Sequence, residues 1–459
     1  MAFLSTGQFP NQSEVCRCPS PSAFRSDREH SLKALQPGFA KPLQGAQLAR
    51  EAVLLSFRDP LPEQCSRLRH LSEREWRKIL RWLDLSGLAL CFFNRIVELR
   101  LTDLVAAPVL ESLEQRLVQN TRRTQSMTAE SIAIQREFQK AGLRYAVLKG
   151  LSLWPNSVPS PELRLQFDLD YLVSDEHLRE ARDILVRSGY CPSASSERCW
   201  KFVRNERSGL TLKDVYRDTG SWAVELHDVS GGSGRVSPLQ NLEWRELCGF
   251  AMPVLSPVHV FLRQGLHAYK DVCSQFFRLA LLIEFYRHVR FRRGDDAFWK
   301  ALHREAHGNP QASLGLGVVT LLITQVMGEF ASEALTHWTV DRLPRPARFW
   351  VATYGRQIVL GSFPGSKLYR LLKRELEAGG SLEEPAIRRS PTLSSPPAPV
   401  MLDLPAQTIP IRLIRFVRLM RYRMQPDLIP GRLRFYAVEG LRIAWETRRW
   451  RRMMKQDAP

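Results

Sequence analysis

Apolar residues recur with helical spacing over about residues 46 to 142. Ser72 and Glu75 have the S-x-x-E spacing of a capping box, which predicts a helix start ahead of the apolar residues Trp76, Ile79, Leu80 and Leu83. Pro108 begins a second, longer helical pattern that ends at Gly142. We therefore expect a helical domain over residues 46–142.

From residue 144 the pattern changes to short runs of β-formers. RYAVLKG and QFDLDYLV predict two strands, and SDEHLREARDILVRSGY predicts a helix with Ser174 as N-cap and Gly189 at its end. CWKFVRN, LTLKDVYRD and SWAVELHDV predict three more strands, because they are rich in Val, Tyr, Trp, Phe and Thr. Residues 143–230 are thus expected to form an α/β unit.

After the glycines at 231, 232 and 234 the spacing indicates helices again, so residues 231–378 are expected to form a second helical domain. The uncharged run from Pro310 to Gly328 is close to membrane-spanning length. Its Gln, Ser, Thr and Gly residues favour a helix buried in the protein over a membrane span.

Both ends of the chain have a different composition. Residues 1–45 mix Ser, Pro, Gln and Gly and predict a disordered arm, and the seven prolines within 379–410 predict an extended linker. Residues 411–459 hold thirteen Arg or Lys and four Asp or Glu. There, Arg412, Arg415, Arg418 and Arg421 lie on one half of a predicted helix and apolar residues on the other.

This basic amphipathic tail has three interpretations. It lies on an anionic membrane, it follows nucleic acid, or it docks on its own protein with a solvated Arg face. Trp450 among arginines favours the surface-binding interpretations.

The overall composition excludes collagen-like, mucin-like and fully disordered proteins. The 459 residues include 44% hydrophobic and 25% charged residues, which is typical of globular proteins. A formal net charge of +19 favours anionic partners. None of the eight cysteines has C-x-x-C spacing and no secretory leader is evident, so a reducing, cytoplasmic location is expected, peripheral to a membrane if the tail binds one.

Three acidic residues on predicted strands are the candidates for chemistry. Asp168 and Asp170 are two residues apart, so their side chains leave one face of the strand. Two crowded carboxylates repel each other unless a divalent cation such as Mg²⁺ lies between them. Glu225 in AVELH is a third ligand candidate. The alternatives are a solvated pair on an edge strand and, for Glu225, one exposed acid of an alternating strand.

Other polar residues carry weaker signals. Lys149 and Gly150 end the first strand, and a helix beginning at Leu151 and Ser152 would present backbone N–H groups to phosphate. His227 and His267 are interpreted as packed or capping histidines rather than acid–base groups. His303 and His307 do not have the H-E-x-x-H spacing and are interpreted as part of a solvated helix face.

Together, LKG, the R-x3-D-L-D-Y-L-V segment, the helix ending in GY and VELH resemble the uncharacterised nucleotidyltransferase family of the DNA polymerase β superfamily. The resemblance covers about residues 143–290, including LRQGLHAYKD and FFRLALLIEFY. It implies an α+β fold in which a polymerase-β-like core, a mixed sheet with flanking helices, lies between helical N- and C-terminal regions.

The resemblance also implies site residues and a reaction. Asp168 and Asp170 would hold two Mg²⁺ ions, with Glu225 as the third carboxylate, a ligand or a base. Lys149, Gly150 and Ser152 would lie beside a nucleoside triphosphate, and Arg164 would steady phosphate or the acidic pair. The expected reaction moves a nucleoside monophosphate to an unidentified acceptor. Lys149-Gly150 replaces the usual Gly followed by Gly or Ser, which leaves a nucleotide-binding module without turnover as one alternative. The basic tail over residues 411–459 leaves a membrane or nucleic-acid adaptor as another.

Overall fold

The computed structural model describes most of the chain from Gly45 to Gln456. The described residues are 45–196, 199–204, 214–220, 222–229, 237–275, 277–307, 309–361, 365–378 and 429–456. Residues 1–44 of the expected arm, the expected Pro-rich linker and the Arg412–Arg421 pattern lie outside them. So does the first part of the predicted strand LTLKDVYRD, whose described part forms turns instead of a strand.

The helices before the sheet follow the predicted helical spacing. They are α1 (Ala46–Leu55), α2 (Glu73–Ser86), α3 (Ala89–Glu98) and α4 (Ala107–Lys140). The capping box is present: the Ser72 backbone N–H donates to the Glu75 carboxylate at 2.9 Å, and the Glu75 N–H donates to the Ser72 hydroxyl at 3.4 Å. Helix α4 has Pro108 in its first turn and is followed by Gly142 at φ 71°.

A seven-stranded mixed sheet follows in the described residues, with the strand order β3-β4-β5-β2-β1-β7-β6. Its strands are β1 (Tyr145–Leu148), β2 (Asp168–Val173), β3 (Cys191–Ser196), β4 (Cys199–Val203), β5 (Ala223–Asp228), β6 (Leu242–Leu247) and β7 (Phe250–Leu255). Strand β2 is antiparallel to β1 and parallel to β5, whereas β7 is parallel to β1. The fold is therefore α+β, with a mixed sheet and flanking helices.

The expected boundary of the α/β unit at residue 230 is wrong. Residues 242–255, which were expected to be helical, form the β6–β7 hairpin and extend the sheet. The hairpin turn is Cys248-Gly249, with φ values of 52° and 72°, as a two-residue turn with right-handed strand twist requires. Pro253 within β7 and the charged residues of β6 conceal the strand pattern in the sequence.

Helix α5 (Leu178–Arg187) crosses between β2 and β3. Ser174, the expected N-cap, precedes a single 3₁₀ turn, and the α-helix begins after His177. Gly189 follows the helix at φ 86°, so the predicted end is confirmed to within two residues.

The two faces of the sheet have different environments. Leu169, Tyr171 and Val173 of β2 pack with Phe138 of α4 and Ile184 of α5 in a buried apolar cluster. The alternate residues of β2 point to the opposite face, because side chains of a strand alternate. That opposite face carries the polar residues of the candidate site.

The helices after the sheet form much of the largest apolar core. They are α6 (Pro257–Val272), α7 (Ala280–Phe291), α8 (Asp296–Ala306), α9 (Pro310–Met327), α10 (Glu333–Thr336), α11 (Arg345–Val359) and α12 (Tyr369–Ala378). Within the described residues, α9 is the helix long and apolar enough to cross a membrane, and 67% of it is buried in the protein. It packs against α6 and α11, so the prediction of a buried helix is confirmed.

The basic C-terminal segment ends in helix α13 (Ile429–Gln456), which docks on the helical core. Trp450 is 1% exposed, lies 5.3 Å from the ring of Phe349, and donates its indole N–H to Glu375 at 3.0 Å. The expectation that Trp450 contributes to a binding surface is therefore wrong. The Trp450 ring fills an apolar space between helices, and this packing, rather than the charge of the neighbouring arginines, sets its orientation.

Candidate active site

The three predicted acids meet on one face of the sheet. Asp170 of β2 is directly opposite Glu225 of the parallel strand β5, and Asp168 is two residues before Asp170 on the same face. One carboxylate oxygen from each of these acids lies within 4.8 Å of those of the other two. Since β2 is an inner strand, with β1 and β5 on either side, the edge-strand alternative for the acidic pair is excluded.

Two lysines and a histidine already contact this acidic cluster. Lys149 donates to Asp170 at 2.7 Å, and Lys201 of β4 donates to Glu225 at 2.7 Å. The Nε2 atom of His227 lies 2.8 Å from the same Asp170 oxygen. The argument that crowded acids need a metal ion to be tolerated is therefore incomplete, because lysine side chains neutralise two of the three.

The environment separates the pKa values of the two aspartates. Burial opposes ionisation of Asp170, but the His227 hydrogen bond and the Lys149 charge outweigh it and lower the pKa of Asp170 to about 2. Burial and the charges of Asp170 and Glu225 raise the pKa of Asp168 above its usual value. Among the described residues, no hydrogen bond or ion pair satisfies the Asp168 carboxylate. Asp168 is thus the acid of the three without a direct ion pair in the described part of the chain, and Lys149 and Arg164 act on it through space.

The turn after β1 brings Lys149 to the acids. Lys149 has φ 47°, a region that side chains rarely adopt, and Gly150 follows at φ 33°. A Cβ atom on Gly150 would lie 2.3 Å from the Gln166 side chain, whose amide donates to the Asp168 carbonyl at 2.7 Å. Glycine at this position therefore lets the turn approach the first residue of β2.

Ser152 lies in the 3₁₀ helix Gly150–Leu153, which takes the place of the longer helix expected there. Its hydroxyl donates to the Lys149 carbonyl at 2.7 Å. Arg245 of β6 donates to the carbonyls of Ser152 and Trp154 at 2.9 and 2.7 Å and so holds the turn from outside. The Ser152 hydroxyl would have to leave this carbonyl before it could donate to a phosphate oxygen.

Arg164 is buried and pairs with Glu284 of α7 at 2.9 Å. Burial lowers the pKa of Arg164, but the charges of Glu284 and then Asp168 outweigh it and raise the pKa above its usual value. The direct ion-pair partner of Arg164 is thus a glutamate of the following helical region. Its effect on the acidic pair is through space, where its charge opposes the rise in the pKa of Asp168.

A cavity of about 1320 Å³ lies behind two residues that contact Asp170, because Lys149 and His227 line it whereas the three acids themselves do not. Lys149, Arg164 and His227 line it from the sheet side, and Arg263, His267 and Lys270 line it from α6. Two lysines and three arginines line the cavity beside three acids, Asp228, Glu284 and Glu305. The positive side chains suit an anionic ligand such as a nucleotide.

Of the four histidines interpreted from the sequence, His227 differs from its interpretation. His227 contacts Asp170 at the site, so its interpretation as a packed or capping residue is wrong. Burial, followed by the Lys149 charge, lowers the pKa of His267 to about 3, which keeps its ring neutral at ordinary pH. His303 and His307 are exposed, in agreement with a solvated helix face.

A family comparison covers the whole of this site. The sequence profile of a family described as uncharacterised nucleotidyltransferase matches residues 72–327, more than half of the chain. The chain belongs to this nucleotidyltransferase family. The match runs from the Ser72 cap of α2 to the end of α9 and so contains the sheet, the acids and the cavity.

Other comparisons add less. No curated protein matches the nucleotidyltransferase chain. Among solved structures, it is similar to the crystal structure of an antigenic nucleotidyltransferase-like protein from Paracoccidioides brasiliensis at 14% identity and a TM-score of 0.28, covering 46% of this chain and 96% of that one.

Sequence reasoning missed several residues around the acids. Lys201 and Cys199 of β4 face Glu225 and His227 across the strand pair, and Arg263 and Lys270 reach the cavity from α6. Strand alternation selects Cys199 and Lys201 once β4 is paired with β5. The i, i+4, i+7 spacing of Arg263, His267 and Lys270 is the signal for the α6 face.

Proposed function

We propose that this member of the family transfers a nucleoside monophosphate from a nucleoside triphosphate to an acceptor, assisted by two Mg²⁺ ions. The observation that carries the proposal is the convergence of Asp168, Asp170 and Glu225, next to a cavity whose lining includes lysines and arginines. Carboxylate oxygens are the ligands that Mg²⁺ prefers, and Asp168 has no direct ion pair among the described residues. The donor set therefore fits the metal.

In this proposal each group has a defined task. Asp168, Asp170 and Glu225 would hold the ions, which would supply positive charge to the oxygens of the transferred phosphoryl group. Lys149 and Arg164 compensate the triphosphate charge from the sheet side, and Gly150 and Ser152 form the turn beside it. The acceptor enters from the cavity. The proposed location is the cytoplasm, because it supplies nucleoside triphosphates and a reducing environment.

The test is the substitution Asp170→Asn in the full chain. It removes a metal ligand and the shared partner of Lys149 and His227, so Mg²⁺-dependent pyrophosphate release should fall at least about 100-fold. Asp183→Asn, at an exposed position of α5, is the matched control and should retain activity. Circular dichroism shows that each variant is folded, and retained turnover by folded Asp170→Asn would reject the proposal.

The ion pairs of Lys149 and Lys201 support a second candidate, a nucleotide-binding module without turnover. Both lysines neutralise acids that a metal ion would otherwise bind. Calorimetry with each nucleoside triphosphate, with and without Mg²⁺, combined with a pyrophosphate assay over varied acceptors, distinguishes the two. Metal-dependent binding of a nucleoside triphosphate, without pyrophosphate release in the presence of any acceptor, supports the module without turnover.

We also propose that α13 attaches the protein to anionic membrane surfaces. Val438, Leu441 and Trp445 form an outward apolar stripe, with exposed fractions of 55%, 75% and 70%. Exposed Arg448, Arg451 and Arg452 lie on the same side of the helix. Apolar residues with an exposed Trp and flanking arginines are typical of helices at a lipid interface, whereas nucleic acid would not require the Leu and Val.

Sedimentation with vesicles tests this attachment. The full chain should bind vesicles that contain phosphatidylserine and not neutral vesicles, and the double variant Leu441→Ala, Trp445→Ala should lose at least about tenfold in binding, in keeping with the apolar area removed. Trp244→Ala, which removes a 60% exposed Trp of β6, is the control. Unchanged binding by the double variant would reject the membrane interpretation. So would an oligonucleotide that binds the full chain as tightly as the vesicles do and displaces it from them.

A further inference from the structure

A second cluster of metal-ligating side chains adjoins the acids. It consists of Cys199 on β4 and of Glu225 and His227 on β5. Cys199 is paired directly with His227 across the two antiparallel strands, and Glu225 is two residues away on the same face. Three ligand types are thus held at one point by the register of the sheet.

The spacing of the ligand atoms fits a tetrahedral ion. Oε2 of Glu225 lies 3.8 Å from the Cys199 sulfur and 3.7 Å from Nε2 of His227. One ligand atom from each of the three residues lies within 4.8 Å of those of the other two. Usual zinc–ligand bond lengths and a tetrahedral angle place a nitrogen and an oxygen about 3.4 Å apart, and a sulfur and either of them about 3.6 Å apart. Shifts of a few tenths of an ångström at the two Glu225 separations would bring those pairs to zinc geometry.

The two oxygens of Glu225 have different surroundings. Lys201 donates to Oε1 at 2.7 Å, while Oε2 faces the cysteine and the histidine. A hydrogen bond to the non-ligating oxygen orients a carboxylate for a metal, and such outer partners strengthen metal sites. The Lys201 ion pair is therefore compatible with a metal ion on the other side of the carboxylate.

We propose that Cys199, Glu225 and His227 form a site for Zn²⁺, distinct in chemistry from the Mg²⁺ ligands Asp168 and Asp170. A thiolate and an imidazole select zinc-like ions over Mg²⁺, which favours oxygen. The ion binds the Cys199 sulfur, Oε2 of Glu225 and Nε2 of His227, and water takes the fourth position. The thiol proton passes to solvent, and His227 gives up its contact with Asp170.

Occupation of this site has a consequence for the acidic cluster. Glu225 belongs to both groups of ligands, so zinc draws away the third carboxylate and removes His227 from Asp170. Zinc binding itself does not depend on nucleotidyl transfer. This consequence rests on the proposed function: Zn²⁺ should inhibit nucleotidyl transfer even when the Mg²⁺ that the reaction needs is present.

Cobalt substitution in the full, metal-stripped chain tests the site. Co²⁺ bound to a thiolate in a tetrahedral site gives a near-ultraviolet charge-transfer band and strong visible bands, which Zn²⁺ abolishes by displacement. We expect one equivalent of Co²⁺ to produce these bands. Cys199→Ser should abolish the charge-transfer band and weaken binding about tenfold or more. Cys248→Ser, at an exposed cysteine of the β6–β7 turn, should leave the spectrum unchanged.

Two further variants separate this proposal from the proposed function. His227→Gln should also lose the cobalt spectrum, whereas Asp168→Asn should keep it and lose only Mg²⁺-dependent behaviour. Circular dichroism confirms that each variant is folded. A cobalt spectrum that persists in Cys199→Ser, or that is lost in Cys248→Ser, would overturn the zinc site whatever the fate of nucleotidyl transfer.

Discussion

Gly150 links the turn after β1 to strand β2, which carries Asp168 and Asp170. Its backbone has φ 33°, and an added Cβ would meet Gln166, which hydrogen-bonds to the Asp168 carbonyl. Any side chain here must therefore displace a group that supports Asp168. The neighbouring residue, Lys149, pairs with Asp170, so one turn affects both aspartates.

Gly150→Ala should lose about 1 kcal/mol of stability from the positive φ angle and, in addition, weaken Mg²⁺-dependent nucleotide binding or turnover by roughly tenfold or more. Gly142→Ala is the matched control, because Gly142 has φ 71° but no described atom within 4 Å of an added Cβ. It should lose similar stability and keep binding. Calorimetry and chemical unfolding measure the two effects, and equal binding by both variants would contradict the role of the turn.

At the residue scale, sequence patterns located part of the site. Asp168 and Asp170 were predictable because alternation along a strand places residues i and i+2 on one face. Lys201 and Cys199 were not, since their approach to Glu225 and His227 depends on which strand lies beside β5. His227 was misinterpreted for the same reason: the carboxylate that it contacts is on a neighbouring strand.

At the scale of elements, α13 has an inner and an outer side that its composition alone does not distinguish. Trp450 lies inward between helices, and Trp445, five residues earlier, lies outward. Five residues turn a helix by about 140°, so the two indoles face nearly opposite sides. The helix therefore has both a docking face and an apolar face in contact with solvent.

Trp450→Ala should destabilise the attachment of α13 by about 3 to 5 kcal/mol, because a buried aromatic side chain and its hydrogen bond to Glu375 are lost. Trp445→Ala, on the outer face, should change stability by less than about 0.5 kcal/mol. Limited proteolysis within α13, together with chemical unfolding, compares them. Equal protease resistance of the two variants would show that α13 is not held by Trp450.

The strand prediction failed mainly at the β6–β7 hairpin. Strand β6 combines charged and apolar residues at the edge of the sheet, and β7 contains Pro253. Proline fits a strand only at a position where the neighbouring strand does not need a backbone N–H to pair with. Whether Pro253 is at such a position therefore depends on which strand lies beside β7. The start of α2 and both ends of α4 agree with the prediction, because caps and glycine stops act within a few residues.

At the scale of the whole molecule, buried histidines make the fold sensitive to acid. Burial, then the Lys149 charge, lowers the pKa of His267 to about 3, and burial followed by the Arg292 charge does the same for His288. Below the ordinary histidine pKa of about 6.5 the unfolded chain binds two protons that the folded chain does not. Their contribution to stability is therefore complete above about pH 6.5 and is lost as the pH falls towards 3.

The expected slope is a loss of about 2.7 kcal/mol per pH unit within that window for the two histidines together, at about 1.4 for each proton. His267→Gln should remove about half of the slope. His303→Gln, at an exposed histidine stacked on Trp338, is the control and should leave it unchanged. Urea unfolding between pH 4 and 8 measures the slope, and an unchanged slope in His267→Gln would contradict a neutral buried ring.

The sequence by itself determined the alternation of helical and strand segments, the capping signals, the buried character of α9 and the pairing of Asp168 with Asp170 on one face. These features depend on contacts within a few residues or on the apolar periodicity of a single element. The tertiary structure decided which strands are neighbours, and therefore that Glu225 joins the aspartates, that lysines neutralise Asp170 and Glu225, and that Cys199 faces His227. It also decided which indole of α13 is buried, because burial depends on the surface against which the helix packs.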